Sequence, residues 1–291
     1  MANNISTPED RLIADYAHCR SLAIKHYENF PVGRFGVPSQ VRPHIHAIYA
    51  FARVADDFAD EPEWDGQRLE RLNEWEEKLE KCVSGTEEPV FMALGDTIRK
   101  MELPIQLFRD LLSAFKQDAV KQRYASWEEV LDYCTRSANP IGRLVLLTTG
   151  YRDKPLFDMS DALCTALQLT NFWQDLSVDH PRGRCYIPAQ EASRLGVDVE
   201  TLVRGNPSGD IKGLLKWLFW RTRDLYAASI PLPGRLHGLM RAEIGATWHG
   251  GSAILGRSER LGEKSLAERP HLSAVDKMSI VVKGLGEWLR P

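Results

Sequence analysis

The amino-acid sequence predicts an all-α chain, on three observations. Long segments carry apolar residues at helical spacing, Pro and Gly fall mostly between those segments, and acids recur at steps of four inside two segments that otherwise read as buried helix. No low-complexity stretch or Pro/Ser-rich linker interrupts the 291 residues, so 1–291 reads as a single helical domain.

In chain order, Pro8 to Tyr27 has Leu12, Ile13, Tyr16, Leu22 and Ile24 at helical spacing, and Pro31 ends it. Pro43 suits the first turn of the next helix and Pro62 closes it. From Trp64 to Cys82 one face carries Leu69, Leu72, Trp75 and Leu79 and the others are charged, the pattern of an outer bundle helix. Helices are also expected over Glu88 to Lys100 and Pro104 to Lys116. Ser126 and Glu129 form a capping box for a helix from Trp127 past Tyr133, and Ser137 to Gly142 interrupts that helix with a kink at Pro140. Such a break makes room in a core, for a ligand or for nothing but the bend. An N-terminal signal at Asp158 to Asp161 opens a helix running to about Asp179. Helices over Leu214 to Ala228 and Leu236 to Arg260 follow. Gly245, Gly250 and Gly251 in the second imply a close helix contact or a cavity, since each costs about 1 kcal/mol relative to Ala. The last amphipathic helix runs from Ala274 to Leu289, capped by Ser273.

The hydrophobic content of 43 % is ample for a core and 26 % charged residues suit a soluble surface. A net charge of −3 argues against a general nucleic-acid binder. No opening signal-peptide pattern and no apolar run of the ~18 residues needed for a membrane span are present, so a cytoplasmic protein is expected. Five scattered cysteines without Cys-x-x-Cys spacing suggest neither disulfides nor zinc.

The first acid segment, Arg53 to Glu61, follows the apolar lead-in Ile45 to Ala52. Asp56 and Asp60 share one helix face, about 6 Å apart along the axis, and Asp57 lies off it. The second, Gln168 to Asp179, places Asn171, Asp175 and Asp179 on one stripe. Like charges so stacked destabilise a helix unless a cation lies between them. Hard ions such as Mg²⁺ take carboxylate, amide and phosphate oxygens, and two such stripes across a bundle could hold a diphosphate. Either stripe alone also fits a solvated acidic helix end. The acids lie on helices, not in a twelve-residue loop with a central Gly, which argues against a calcium-binding helical protein. The loop after Asp179 carries Arg182 and Arg184, suited to pairing with phosphate.

With these motifs the chain resembles the squalene/phytoene synthase family over nearly its full length. The carriers are Tyr49 to Glu61 and Asn171 to Asp179, which look like the family's two aspartate motifs. The resemblance implies an all-α trans-isoprenoid synthase bundle around a central cavity, processing an isoprenoid diphosphate with Mg²⁺. Within the family, His26 to Gly33 and Tyr133 to Arg143 look most like the hydroxysqualene synthases of hopanoid biosynthesis. That implies ionisation of presqualene diphosphate and a water quench, with no NADPH. Thr135 to Asn139 stands where condensing members carry an aromatic and Val-Ala-Gly, and puts polar groups, Asn139 among them, where a water could be held. By matching position, Asp56, Asp60, Asn171, Asp175 and Asp179 are implied as Mg²⁺ ligands or their partners. Arg53, Arg184 and Tyr186 are implied to contact the diphosphate, and Tyr49, His26, Asn29 and Phe30 to line the same end of the cavity. Gln174 stands where several relatives have Arg. Implied partners are the diphosphate substrate, a membrane contacted peripherally at its inner face to release a water-insoluble C30 product, and neighbouring hopanoid-pathway enzymes. No single helix reads as basic and amphipathic enough to be the anchor. The alternatives are a head-to-head condensing synthase making presqualene diphosphate, squalene or phytoene, and a non-catalytic helical scaffold of the same family.

Overall fold

Breakers set most of the helix boundaries in this computed structural model, which describes residues 7–25 and 36–289. Contacts gather the chain into two units, Met1–Val120 with Arg143–Arg152, and Lys121–Gly142 with Asp153–Pro291. Among the described residues there is no β-strand, only one isolated bridge between Tyr124 and Pro188. No helix described is long and apolar enough to cross a membrane.

The first unit holds α1 (Pro8–Lys25), α2 (Arg42–Asp60), α3 (Arg68–Cys82), α4 (Pro89–Met101) and α5 (Gln106–Asp118). Pro43 sits in the first turn of α2, where its missing N–H costs nothing, and Glu61 is extended because Pro62 follows it. Phe51 of α2 is fully buried and its ring meets Trp75, Phe91 and Phe108, one from each of α3, α4 and α5. The Trp75 indole N–H donates to the Phe51 carbonyl at 3.3 Å. These contacts fix the rotation of α2: Ile48, Phe51, Ala55 and Ala59 face inward, leaving Tyr49, Arg53, Asp56 and Asp60 on another stripe. Two sequence expectations shift here. Leu69 is solvent-exposed and Cys82 completes the α3 face in its place, while Trp64 belongs to a short 3-10 turn, Pro62–Trp64, ahead of α3.

A polar knot ties α1, α2 and α4 together. The Tyr16 hydroxyl donates to Asp96 at 2.8 Å and lies 3.0 Å from both His44 Nδ1 and Thr97 Oγ1. Burial pulls the His44 pKa below its usual value, with Asp96 opposing and Lys100 assisting, and burial does the same to His46, helped by Arg20 and Arg42. A base whose folded pKa is depressed leaves the unfolded chain binding more protons, so stability is full above about pH 6.5 and declines as pH falls below it. The urea midpoint is therefore expected to drop between about pH 7.5 and pH 5.5. That slope should flatten in the double variant His44→Gln/His46→Gln; an unchanged slope would locate the titration elsewhere.

The second unit holds α6 (Trp127–Ser137), the first turn of α7 (Asn139–Thr148), α8 (Lys154–Gln174), α9 (Leu176–Asp179), α10 (Ala189–Arg194), α11 (Val199–Val203), α12 (Ile211–Ser229), α13 (Gly238–Leu261) and α14 (Ala274–Leu289). Ser126 caps α6 by accepting from the Glu129 N–H, but the Glu129 carboxylate turns to the Ala125 N–H and Lys121, so the box closes one residue early. The expected kink is a full break at Ala138, and Pro140 stands in the first turn of α7, where it breaks no helix interior. The room left by Gly142 is filled by α8: a Cβ there would lie 2.4 Å from Ser160 Oγ and 2.6 Å from Cys164 Sγ. α8 begins one turn before the expected signal, with Pro155 in its first turn. The short helices α10 and α11 lie in a stretch whose sequence offered no periodicity long enough to predict them. Gly251 of α13 makes the close contact its cost implied, since a Cβ there would be 2.2 Å from the Tyr226 hydroxyl and 2.4 Å from Leu167. All five cysteines are free.

Candidate active site

Arg53 organises the acid end of α2. Its guanidinium bonds Asp56 at 3.2 Å, pairs with Asp57 one turn on, and reaches Glu61 at 3.8 Å. Asp57, expected off the face, is thus drawn in, because positions three and four residues on are both within reach of one long side chain. The Arg53 side chain is only 15 % exposed and its Nε is buried without a hydrogen-bond partner. Tyr49, one turn earlier, lies close enough for its phenol pKa to respond to the cluster. Burial raises it, Arg53 opposes, and Asp56 and Asp57 add to the rise, so the hydroxyl stays protonated at neutral pH. Asp60 is exposed, and the backbone around it is clamped by Arg68, which donates to the carbonyls of Ala59 and Asp60.

The second acid row is not one helix. α8 ends at Gln174, Asp175 caps it with φ −100° and ψ 13°, and α9 resumes at Leu176. The register nevertheless survives: the Asp175 N–H donates to the Asn171 carbonyl at 2.9 Å and the Asp179 N–H to the Asp175 carbonyl at 2.8 Å. Asn171, Asp175 and Asp179 therefore remain stacked at steps of four across the break. Asn171 is exposed, and the Asp175 carboxylate is 16 % exposed.

Asp175 has a partner that no motif announced. Arg269 holds it by two hydrogen bonds, Nε to Oδ1 at 2.5 Å and Nη2 to Oδ2 at 3.2 Å. The neighbouring Gln174 donates to the Pro270 carbonyl at 2.8 Å and so seats the segment that carries Arg269. Arg269 lies 94 residues away in a short polar turn, and no periodicity or motif marks it.

The loop after Asp179 is pinned on both sides. His180 is buried, its Nε2 has no hydrogen-bond partner, and burial, assisted by Arg123, pulls its pKa down to about 4, so the ring is neutral. Gly183 takes φ 79°, a left-handed turn that returns the chain so that the Arg184 N–H donates to the Asp179 carbonyl at 3.0 Å. Arg123 bonds the Gly183 carbonyl, and the N–H groups of Cys185 and Ala189 reach the carbonyls of Gln122 and Tyr124. Tyr186 stacks flat on Phe172, centroids 3.7 Å apart and planes within 4°, with Tyr124 and Tyr133 at 5.3 and 5.9 Å. The Asn139 amide oxygen accepts from Thr165 Oγ1 at 2.9 Å, and the residue is buried. The candidates His26, Asn29 and Phe30 lie outside the described residues. Among the described residues no three His, Cys, Asp or Glu side chains already converge on a cation site.

The fold is the all-α fold of the trans-isoprenoid synthases. The chain belongs to the squalene/phytoene synthase family, whose model matches residues 24–276 and whose members process isoprenoid diphosphates. It is 35 % identical to a hydroxysqualene synthase of Rhodopseudomonas palustris over 211 residues, 72 % of this chain and 71 % of that protein. It is 31 % identical to a phytoene synthase of Arthrospira platensis over 225 residues, covering 72 % and 73 %. Among solved structures it is similar to the squalene synthase HpnC from Alicyclobacillus acidocaldarius, with a TM-score of 0.81, 35 % identity, and coverage of 88 % of this chain and 97 % of that one.

Proposed function

We propose that this chain is a hydroxysqualene synthase. It ionises presqualene diphosphate, and water quenches the rearranged carbocation to give hydroxysqualene and diphosphate. The observation that carries diphosphate ionisation is the oxygen row Asn171, Asp175 and Asp179, held in register across the α8 to α9 break with Asp175 neutralised by Arg269. Likeness to hydroxysqualene synthases and to HpnC supports the choice of substrate.

The donor sets fit Mg²⁺. Each is made of hard oxygens, each has already drawn a guanidinium, and Mg²⁺ on a diphosphate needs only one or two carboxylates beside substrate oxygens and waters. Asp56, Asp60, Asn171, Asp175 and Asp179 would be Mg²⁺ ligands or their immediate partners. Bound there, Mg²⁺ supplies positive charge that stabilises the departing diphosphate. Arg53, with a donor still unsatisfied, and Arg184 pair with diphosphate oxygens, and Tyr49 and Tyr186 border them. In the ionising step the carbon–oxygen bond breaks and its electron pair leaves with the diphosphate. Asn139, fixed through Thr165, orients the water whose oxygen adds to the cation and then loses a proton. No hydride is consumed, so NADPH is not required.

Likeness to phytoene synthases keeps head-to-head condensation as the second reading. The test is to incubate purified protein and Mg²⁺ separately with presqualene diphosphate and with farnesyl diphosphate, with and without NADPH, and to identify the lipid by mass spectrometry. Hydroxysqualene from presqualene diphosphate, indifferent to NADPH, is expected. Turnover of farnesyl diphosphate would make the chain a condensing synthase, and no turnover of either would favour a non-catalytic scaffold.

A further inference from the structure

Three basic side chains of the first unit stand together with no acid among them. Arg42 opens α2, and its Nε donates to the carbonyl of buried Val37 at 3.1 Å. That bond anchors the guanidinium and leaves its Nη groups without a partner among the described residues. His46 lies one turn on, about 6 Å along the same face of α2. It is half-buried, and neither ring nitrogen is hydrogen-bonded among the described residues. Arg20 comes from α1, one turn beyond Tyr16, whose hydroxyl is 3.0 Å from His44 Nδ1. Its side chain is exposed and makes neither a hydrogen bond nor an ion pair among the described residues.

Elsewhere in this unit Arg53, Arg68, Arg71, Arg99 and Arg109 each pair with a carboxylate. The acids closest in sequence and packing to the cluster are already engaged. Asp15 of α1 interacts with His18, and Asp96 of α4 holds Tyr16 and Lys100. Burial pulls the His46 pKa down, and the charges acting on it, Arg20 and Arg42, push the same way. Held together without a counter-charge, the three groups repel one another. An anion between them removes that repulsion and takes up donors that the fold leaves open.

We propose that Arg20, Arg42 and His46 form a binding site for a phosphoryl group, that of a small phosphate or diphosphate anion. Two guanidinium forks and an imidazole, brought from two helices, can meet a tetrahedral oxyanion on more than one side, and they match its several oxygens in number. The site is separate from the acid row. His46 is ten residues before Asp56, roughly 15 Å along α2, and the cluster offers no carboxylate to a metal ion. The anion is therefore held by charge and hydrogen bonds alone. The proposed reaction brings the chain into contact with two such anions, inorganic diphosphate and the headgroup of an isoprenoid diphosphate. That choice of sources rests on the proposed function; the site itself does not.

The test is a titration of the full chain with inorganic diphosphate, free of Mg²⁺ and with a chelator present. It is followed by NMR through the His46 ring proton, assigned by its loss in His46→Gln. Diphosphate should move that signal saturably and raise the pH at which it titrates by about one unit, because a bound anion favours the charged ring. Chloride at matched ionic strength should not reproduce the effect. Arg20→Gln and Arg42→Gln should each weaken binding about tenfold, and Asp56→Asn should leave it unchanged. The Arg20 side chain bonds nothing in the described fold, so its replacement should melt with the parent. Geranyl diphosphate, titrated in the same way, separates the two sources: tighter binding than inorganic diphosphate assigns the site to an isoprenoid headgroup, and equal or weaker binding assigns it to the free anion. A response that chloride matches, one that survives Arg20→Gln undiminished, or none at millimolar diphosphate overturns the inference. Turnover of presqualene diphosphate with Mg²⁺ is read separately: a chain without turnover that still binds diphosphate at His46 counts against the catalytic reading and leaves the anion site standing.

Discussion

Asp175→Asn is expected to lower turnover of presqualene diphosphate on the order of a thousandfold, with little loss of stability. The carboxylate sits at the centre of the Asn171, Asp175 and Asp179 row, at the break between two helices. Replacing it with an amide removes one negative charge that would hold Mg²⁺ where charge grows on the leaving diphosphate, and removing such a stabilising element typically costs about 10²–10³ in rate. The folded state loses the pair with Arg269, whose guanidinium is half exposed, so the stability cost should stay within about 1 kcal/mol. Asp56→Asn removes the corresponding charge from the first row, where Arg53 keeps Asp57 as a second partner, and should be similarly inactive and similarly stable. The check is single-turnover kinetics beside a thermal melt, with Mg²⁺ varied. A variant that recovers most of its rate at high Mg²⁺ has lost metal affinity; one that stays slow at saturation has lost stabilisation of the leaving group. Near-normal rates for both variants at ordinary Mg²⁺ would remove the acid rows from the reaction.

Much of this architecture was legible because its punctuation is local. Pro43, Pro62 and Ser273 each act on the backbone within one turn, and the structure puts helix ends where those residues imply them. The acid rows were legible for the same reason, since a step of four is a neighbour relation along one helix. Three features escaped because their causes lie elsewhere in the chain. Arg269 finds Asp175 through the fold, and only the bond from Gln174 to the Pro270 carbonyl explains why that turn arrives there. The break at Asp175 leaves no Pro or Gly in the sequence to announce it. The apolar stripe of α14 reads as a core face by periodicity, yet the structure packs the helix through Gly284 and leaves the large side chains outside. Periodicity says that a face is apolar; what covers it depends on which side permits the closest backbone approach.

Trp173→Ala is expected to be the most destabilising single change in the second unit. The indole is fully buried on α8, between Asn171 and Asp175 in sequence but turned away from their row. It packs edge-on near Phe172, and its N–H donates to Thr222 Oγ1 on α12 at 2.9 Å. Thr222 passes the interaction on by donating to the Leu218 carbonyl at 2.8 Å, so its hydroxyl keeps one bond when the indole is removed. The loss is therefore mainly of packing: about 3–5 kcal/mol for an aromatic-to-Ala cavity in a core. In a unit of this size that lowers the melting temperature on the order of 10 °C. Trp173→Phe keeps most of the volume and forfeits one neutral hydrogen bond, about 1 kcal/mol, so its melt should fall by only a few degrees. The functional consequence follows from position. If Trp173 is what seats the end of α8 on α12, the Phe variant should retain its rate, and the Ala variant should lose rate even below its melting temperature, because Asp175 is no longer held at the helix end. An Ala variant that melts with the parent would show that α8 is seated by other contacts, Thr170 with Tyr226 at 3.0 Å being the next to test.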